Sequence, residues 1–125
     1  MGLTETLTDA MKSSGVPDKY IASVTKMMED GSLRLSKLKE RVQQSELGDV
    51  FDSWVGNGEN KQITADQVKA TADPENLKRM ADEAGGTVDE AAEELSKAMP
   101  EVVDKLTPEG ELPSDDAVRS EFSRS

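Results

Sequence analysis

The sequence predicts an all-α protein, a compact multihelical bundle of about seven or eight short helices. Three observations support this fold class. Apolar residues recur at intervals of three and four along most of the chain, which is the spacing of one helix face. No segment alternates apolar and polar residues over the length of a strand. Glycines and prolines divide the sequence into segments of helical length, several of which begin with a capping residue.

Two helices are predicted near the N-terminus. The segment TETLTDAMKSSG places Leu7, Ala10 and Met11 on one face and is closed by Gly15. The next segment, PDKYIASVTKMMEDG, ends at Gly31, a residue type that adopts the left-handed conformation after a helix without strain. The inward positions of this second helix are predicted to be Tyr20, Ile21, Val24, Met27 and Met28.

The third helix is predicted to begin at Ser32, in the segment SLRLSKLKERVQQSELG. Leu35, Leu38 and Val42 form a narrow apolar stripe along it. Its remaining positions are mostly charged, so they are predicted to face solvent.

The stretch DSWVGNGENKQITADQV, residues 52–68, combines aromatic packing, a turn and a helix start. The chain has four aromatic residues in all, so Phe51 and Trp54 are predicted to be central packing residues. An exposed tryptophan that contacts a partner is the alternative. Gly56 and Gly58 are predicted to permit the turn that follows.

The helix that begins after this turn has the best specified start in the sequence. Thr64 and Gln67 form a capping box, in which each side chain accepts a hydrogen bond from a backbone N–H at the helix start. Ile63 precedes the cap and Val68 lies four residues after it, which is the spacing of a hydrophobic staple. These four residues are predicted to have a structural role.

Two further helices have clear start signals. Asp73 can cap a helix whose first position is Pro74, and Gly85–Gly86 ends it. Thr87 and Glu90 form a second capping box. The predicted inward positions of the two helices are Leu77, Met80, Ala81, Ala84, Val88, Ala91, Ala92, Leu95 and Met99.

Pro100 is predicted to start a separate helix, PEVVDKL, because proline is favoured in a first helical turn and disfavoured in a helix interior. Residues 1–113 are then predicted to form a single domain and residues 114–125 a polar, mobile tail. Val118 and Phe122 are four residues apart, so they could form one amphipathic turn of that tail, docked in a groove of this chain or of a neighbour.

The residues from Leu47 to Pro113 resemble the YidB-like family of small bacterial proteins. The resemblance rests on LGDVFDSWVGNGENKQITADQV followed by MPEVVDKLTPEGELP. These blocks contain four motifs in order: Ser-Trp-Val-Gly-x-Gly-x-Asn, an Ile-Thr cap, Pro-x-x-Val-Asp-x-Leu-Thr-Pro-x-Gly and Leu-Pro. It implies a helical bundle with buried central helices, whose core here is residues 48–113. It implies no catalytic residue, substrate or cofactor.

The charge of the chain is distributed unevenly. Residues 1–47 contain seven basic and seven acidic residues, whereas residues 48–125 contain eight and nineteen and so carry the whole net charge of −11. An acidic surface repels phosphate backbones and anionic lipid headgroups. We therefore expect binding to neither nucleic acid nor membranes. The neutral N-terminal third and the acidic remainder could attract each other between copies, which predicts self-association.

The sequence does not contain the residues of a metal site or of common catalytic machinery. There is no histidine and no cysteine. If GNGENKQITADQ is aligned as a calcium loop, Gly56 and Gly58 supply no side-chain oxygen, and Gln67 stands where a carboxylate is needed. The acids of the last long helix, such as Glu90, Glu93 and Glu94, are predicted to face solvent. An enzyme would need two of them buried together in a pocket.

The sequence therefore predicts a non-enzymatic cytoplasmic protein without a cofactor, which acts through protein–protein interaction or self-assembly with an unknown partner, itself included. The candidate interaction loop consists of Asn57, Glu59, Asn60 and Lys61, between the two structural blocks of the 52–68 stretch. The alternative is a small-molecule or peptide binder that uses a cleft between helices lined by methionine and leucine.

Overall fold

The computed structural model describes residues 3–55, 60–107 and 114–124. The regular structure within these residues is entirely α-helical, as the sequence predicts. The eight helices are α1 (Leu3–Ser13), α2 (Asp18–Asp30), α3 (Leu35–Gln44), α4 (Gly48–Trp54), α5 (Ala65–Thr71), α6 (Pro74–Ala84), α7 (Val88–Leu106) and α8 (Asp115–Arg124).

The longest helix, α7, lies at the centre of the bundle. It contacts α1, α2, α4, α5 and α6, whereas α8 packs on α1 and α2 at the periphery. Alanines on its buried face let neighbouring helices approach closely, and longer side chains fill the spaces between them. The buried residues of α7 are Ala91, Ala92, Leu95, Ala98, Met99, Val102, Val103 and Leu106.

The prediction that Pro100 starts a separate helix is wrong, because α7 continues through it. Proline has no backbone N–H, so the C=O of Ser96 loses its usual helical donor. Met99 and Val103 are both buried on the two sides of this position. We infer that continuous burial of the apolar stripe offsets the lost hydrogen bond.

The predicted capping boxes are present at the starts of α5 and α7. Thr64 Oγ1 accepts from the N–H of Gln67 at 3.1 Å, and Gln67 Oε1 accepts from the N–H of Thr64 at 2.9 Å. Thr87 and Glu90 make the same pair of bonds at 3.1 and 3.0 Å. The side chain of Asp73 caps α6 as predicted. These starts depend on neighbours in sequence, which is why the sequence predicts them.

The third helix begins at Leu35 and not at the predicted Ser32. Gly31 adopts a left-handed φ of 83° after α2. The N–H of Ser32 then donates to Asp30 Oδ1 at 2.9 Å. These residues end α2 with a turn, so the chain becomes helical again three residues later than predicted.

Residues 115–124 form the helix α8, where the sequence predicts a polar, mobile tail with one amphipathic turn. Val118 is 6 % exposed, and the amphipathic turn predicted around it therefore has one buried anchor. The side chain of Phe122 lies outside the described part of the chain. Asp115 accepts two hydrogen bonds from Ser36, which is 79 residues away in sequence. Contacts this distant could not be read from the local pattern of residues 114–125.

Val88 was predicted to face inward and is 40 % exposed. It is the first residue of α7. Fewer neighbouring side chains are available to cover a residue at the end of a helix than one in the middle.

A charged seam joins α2 to α6. Arg79 lies 2.8 Å from Asp30 and 3.5 Å from Glu83, and Lys26 is 3.5 Å from the same glutamate. The hydroxyl of Ser23 donates to Glu83 Oε1 at 2.7 Å. This hydrogen bond, together with the two cations, holds the pKa of Glu83 below its usual value. The lowered pKa predicts that the packing of α2 on α6 weakens in acid.

Candidate functional site

Trp54 fixes the end of α4 to the segment that follows the 56–59 turn. Its side chain is fully buried, and its ring lies 5.5 Å from that of Phe51 with a tilt of 52°. The indole Nε1 donates to the C=O of Lys61 at 2.7 Å. The tryptophan predicted to be a packing residue therefore also positions the chain seven residues further on.

Lys61 is bonded to α4 through both of its backbone groups. Its C=O accepts from Trp54, and its N–H donates to Ser53 Oγ at 2.9 Å. The hydroxyl of Ser53 in turn donates to the C=O of Val50 at 2.6 Å. We call this side of the 60–63 segment the inner edge. Its polar groups are all paired with groups of the fold.

The opposite side of the same segment, which we call the outer edge, faces a polar cleft of about 450 Å³. Helix α7 and the end of α1 form the other walls. No hydrogen bond of the described residues involves the backbone of Gln62. The residues that line the cleft are Ser14, Asn60, Lys61, Gln62, Ile63, Ser96, Lys97, Pro100 and Glu101.

Asn60 has an unpaired acceptor beside this cleft. Its amide nitrogen makes a long contact of 3.5 Å with the C=O of Pro100. Its Oδ1 is buried and receives no hydrogen bond from the described residues. A buried acceptor without a donor costs free energy, so native proteins rarely keep one without a reason.

The facing wall of α7 adds a second acceptor. Pro100 cannot donate to the C=O of Ser96, and both residues line the cleft. Lys97 is held 3.0 Å from Glu94 Oε1, one turn nearer the start of the helix. The site therefore combines hydrogen-bond acceptors that lack their usual donors with charged groups of both signs at its rim.

The cleft contains two of the four residues of the predicted interaction loop, Asn60 and Lys61. The other two, Asn57 and Glu59, lie outside the described residues, as do Gly56 and Gly58. Ile63, Thr64, Gln67 and Val68 are at the adjacent helix start, where Ile63 and Val68 are buried and the other two form the capping box.

Residues of α7 that line the cleft were not predicted as part of a site. Ser96, Pro100 and Glu101 are 33 or more residues from Ile63 in sequence, and only the packing of α5 on α7 brings these regions together. One signal was present in the sequence. Apolar residues continue at helical spacing through Pro100, which indicates one helix with a gap in its hydrogen bonding.

Other concave regions lie between the described helices. The cavity at the methionine- and leucine-lined interior, between α2, α3 and α7, measures about 10 Å³, no more than a single water occupies. Two clefts of mixed lining flank the turn between α2 and α3. One, of about 290 Å³, lies under α8, and the other, of about 240 Å³, lies between α3 and α6.

The carboxylates of α7 do not form a buried pair among the described residues. Glu93 is exposed, and Glu90 is exposed and occupied in the capping box. Glu94 has one oxygen bonded to Lys97 and the other buried without a donor in the described part of the chain. Burial raises the pKa of Tyr20, and the nearby charges of Glu90 and Glu94 raise it further. No group of three or more metal-ligating side chains is found in the described part of the chain.

Among the helices described, none combines the length and the apolar character needed to cross a bilayer.

Comparisons with known proteins identify the family. A family model described as YidB-like protein matches residues 13–115, which is most of the chain. The uncharacterised protein YidB of Escherichia coli K12 is 25% identical over 113 residues, covering 90% of this chain and 83% of that protein. The chain therefore belongs to the YidB-like family, and the resemblance noted over residues 47–113 is confirmed and extends further towards the N-terminus.

A solved structure supports the fold alone. A homeodomain-like protein of unknown function from Shigella flexneri superimposes with a TM-score of 0.70 at 17% sequence identity. The superposition covers 86% of this chain and 87% of that one. The arrangement of helices is thus shared with a protein whose sequence is very different.

Proposed function

We propose that this member of the YidB-like family acts by binding another protein, and that the cleft between the 60–63 segment and α7 receives a segment of that partner. The observation that carries the proposal is the buried Oδ1 of Asn60, which has no donor among the described residues. A hydrogen bond from a partner to this oxygen would remove the free-energy cost of burying it without a donor. Binding energy is then concentrated at a few polar groups in the cleft.

The chemistry of the cleft favours a partner rich in hydrogen-bond donors. Asn60 Oδ1, the C=O of Ser96 and the carboxylate of Glu101 are acceptors at or beside its walls. Backbone N–H groups of an extended peptide, or an arginine side chain, match such a surface. The net charge of −11 also draws basic partners and repels acidic ones at a distance.

Several features support a binding role over an enzymatic one. The sequence offers no histidine or cysteine as a base or nucleophile. Glu90 and Glu93, the acids nearest to a catalytic pair in the sequence, are exposed on the surface of α7.

Support for the alternative, a ligand held in a methionine- and leucine-lined cleft, is weaker. Met27, Met28, Met80 and Met99 are all buried in the core. The wholly apolar gap between α2, α3 and α7 is about 10 Å³. Ligand pockets for small molecules are usually some hundreds of Å³. The polar cleft beside Asn60 instead has a buried acceptor, the Oδ1 of that residue, which no described residue pairs with.

A library of linear peptides displayed on phage tests the proposal. Peptides selected on the wild-type protein should be rich in arginine or lysine, and their affinity for Asn60→Ala should fall by about tenfold, which corresponds to the loss of one hydrogen bond to a buried acceptor. Gln43→Ala is the matched control, because it also shortens an amide side chain, on an exposed position of α3. Its affinity for the same peptides should equal that of the wild type.

Either of two results would overturn the proposal. One is that no peptide is enriched on the wild-type protein over a blank surface. The other is that the selected peptides bind Asn60→Ala and the wild type equally well, which would place their site elsewhere.

A further inference from the structure

The attachment of α8 to the rest of the bundle is limited. Among its described side chains, Val118 alone is buried, while Asp116, Ala117 and Arg119 are exposed. A cleft of about 290 Å³ remains between the start of α8 and the turn that joins α2 to α3. Among the described side chains, the contact therefore rests on one apolar anchor and on a few polar groups.

The polar part of the attachment is a helix cap supplied from a distance. Arg34 precedes α3 and provides no side-chain cap. Asp115 provides one instead, because its Oδ1 accepts from the backbone N–H of Ser36 at 3.2 Å and its Oδ2 accepts from the Ser36 hydroxyl. A carboxylate at a helix N-terminus also interacts favourably with the helix dipole. The start of α3 thus depends on a residue of α8 for its hydrogen bonding.

The seat of α8 lies against the turn between α2 and α3. Gly31 has a φ of 83°, and the Arg119 side chain lies 3.7 Å from where a Cβ on that glycine would be. Met28, Leu33 and Leu35 line the same region, so an undocked α8 would leave apolar surface uncovered. Arg34 lines it too and can attract Asp115 and Asp116 at the start of the helix.

We propose that the α8 seat is also an interface between copies, in which α8 of one molecule docks in the seat of a second. Every contact of the closed molecule is reproduced in the exchanged form, since the same residues meet, so the exchange needs no new complementary surface. Among the described side chains of α8, release breaks one buried apolar contact, that of Val118, and the hydrogen bonds between Asp115 and Ser36. The exchanged helix would then cap α3 of the partner copy.

Exchange of α8 is a route to the self-association that the charge distribution predicts, and it is independent of the polar cleft beside Asn60. Reciprocal exchange closes a dimer, whereas exchange in one direction continues into an open chain of molecules. A failure of peptide binding at the cleft would leave this inference untouched.

Engineered cysteines test the exchange directly, because the natural chain has none. Two full-length variants, Ser36→Cys and Asp115→Cys, are mixed in equal amounts and oxidised gently in a thiol exchange buffer. Their disulfide-linked products are then identified by mass. Random collision would make mixed dimers about half of all dimers. Exchange of α8 predicts that mixed dimers make up well over half of all disulfide-linked dimers. Their share should rise with the protein concentration at which the two variants are mixed before oxidation.

Two further variants make the result decisive. The double variant Ser36→Cys/Asp115→Cys should close its disulfide within one molecule at low concentration, which shows that α8 occupies its seat. Val118→Asp, added to the Asp115→Cys chain, should return the mixed fraction to the random value because it removes the apolar anchor.

The proposal fails if the double variant closes internally at every concentration while the mixture gives only random pairing, because α8 would then stay in its own seat. It also fails if the double variant does not close at all, since the seat would not hold α8 as described. Circular dichroism of each variant confirms that it is folded.

Discussion

Two neighbouring residues, Lys61 and Asn60, use their polar groups in opposite ways. Both backbone groups of Lys61 are paired with α4, through Ser53 and Trp54. Asn60 makes one long contact with α7 and leaves a buried oxygen without a donor among the described residues. The inner edge of this short segment therefore stabilises the fold, and the outer edge carries a group that the described part of the fold does not satisfy.

This difference shows which part of residues 52–68 stabilises the fold. Residues 52–68 combine a tryptophan, a turn and a helix start, and any of them could have been a binding feature. Trp54 and the capping box of Thr64 and Gln67 are accounted for by packing and hydrogen bonds within the fold. Asn60 is not, so substitutions on the two edges should have very different effects on stability.

The largest expected effect is at the centre of the inner edge. Trp54→Ala should lower the free energy of unfolding by about 3–5 kcal/mol, because it removes a fully buried indole and a hydrogen bond to Lys61. Urea unfolding followed by circular dichroism measures this loss. Trp54→Phe keeps most of the packing and should lose much less. A loss below about 1 kcal/mol for the alanine variant would show that Trp54 is not a core residue.

The capping box should show an intermediate effect. Thr64→Ala removes the acceptor for the N–H of Gln67 and should cost about 1 kcal/mol of unfolding free energy. Thr25→Ala, at a partly buried threonine of α2 whose hydroxyl donates to the C=O of Ala22 in the same helix, is the matched control and should change stability by less than about 0.5 kcal/mol. If the two variants are equally stable, the cap is not what fixes the start of α5.

The charged seam between α2 and α6 predicts a smaller, pH-dependent effect. The folded state lowers the pKa of Glu83 below 4.5, first through the hydrogen bond from Ser23. A lowered pKa gives stability that is present above 4.5 and is lost as the pH falls through the folded-state value. Urea midpoints measured from about pH 6 down to about pH 3 should therefore fall more steeply for the wild type than for Glu83→Gln. Parallel curves would mean that Glu83 contributes nothing to acid sensitivity.

The sequence predicted the features that depend on near neighbours. The capping boxes at Thr64 and Thr87, the proline start of α6 and the glycine ends of α2 and α6 all follow from residues within one helical turn. Burial of the apolar faces followed from their spacing. Val88 is the exception, because its exposure depends on where the neighbouring helices end.

What could not be predicted depends on contacts between distant parts of the chain. The polar composition of residues 114–125 predicts a tail. The contacts that hold α8, namely the burial of Val118 and the bond from Ser36 to Asp115, are made with distant residues and do not show in that composition. The candidate site was half predicted for the same reason. Asn60 and Lys61 were proposed from their loop, but the wall formed by Ser96 and Pro100 is created by the packing of α7.

The unfolding free energy of Asn60→Ala, measured beside that of Ser53→Ala, tests the contrast between the two edges most directly. Ser53→Ala leaves the N–H of Lys61 without its acceptor and should lose about 1 kcal/mol. Asn60→Ala removes an oxygen that no described residue pairs with, so its stability should stay within about 0.5 kcal/mol of the wild type or exceed it. A loss for Asn60→Ala as large as that for Ser53→Ala would contradict the account, because Asn60 would then be part of the architecture.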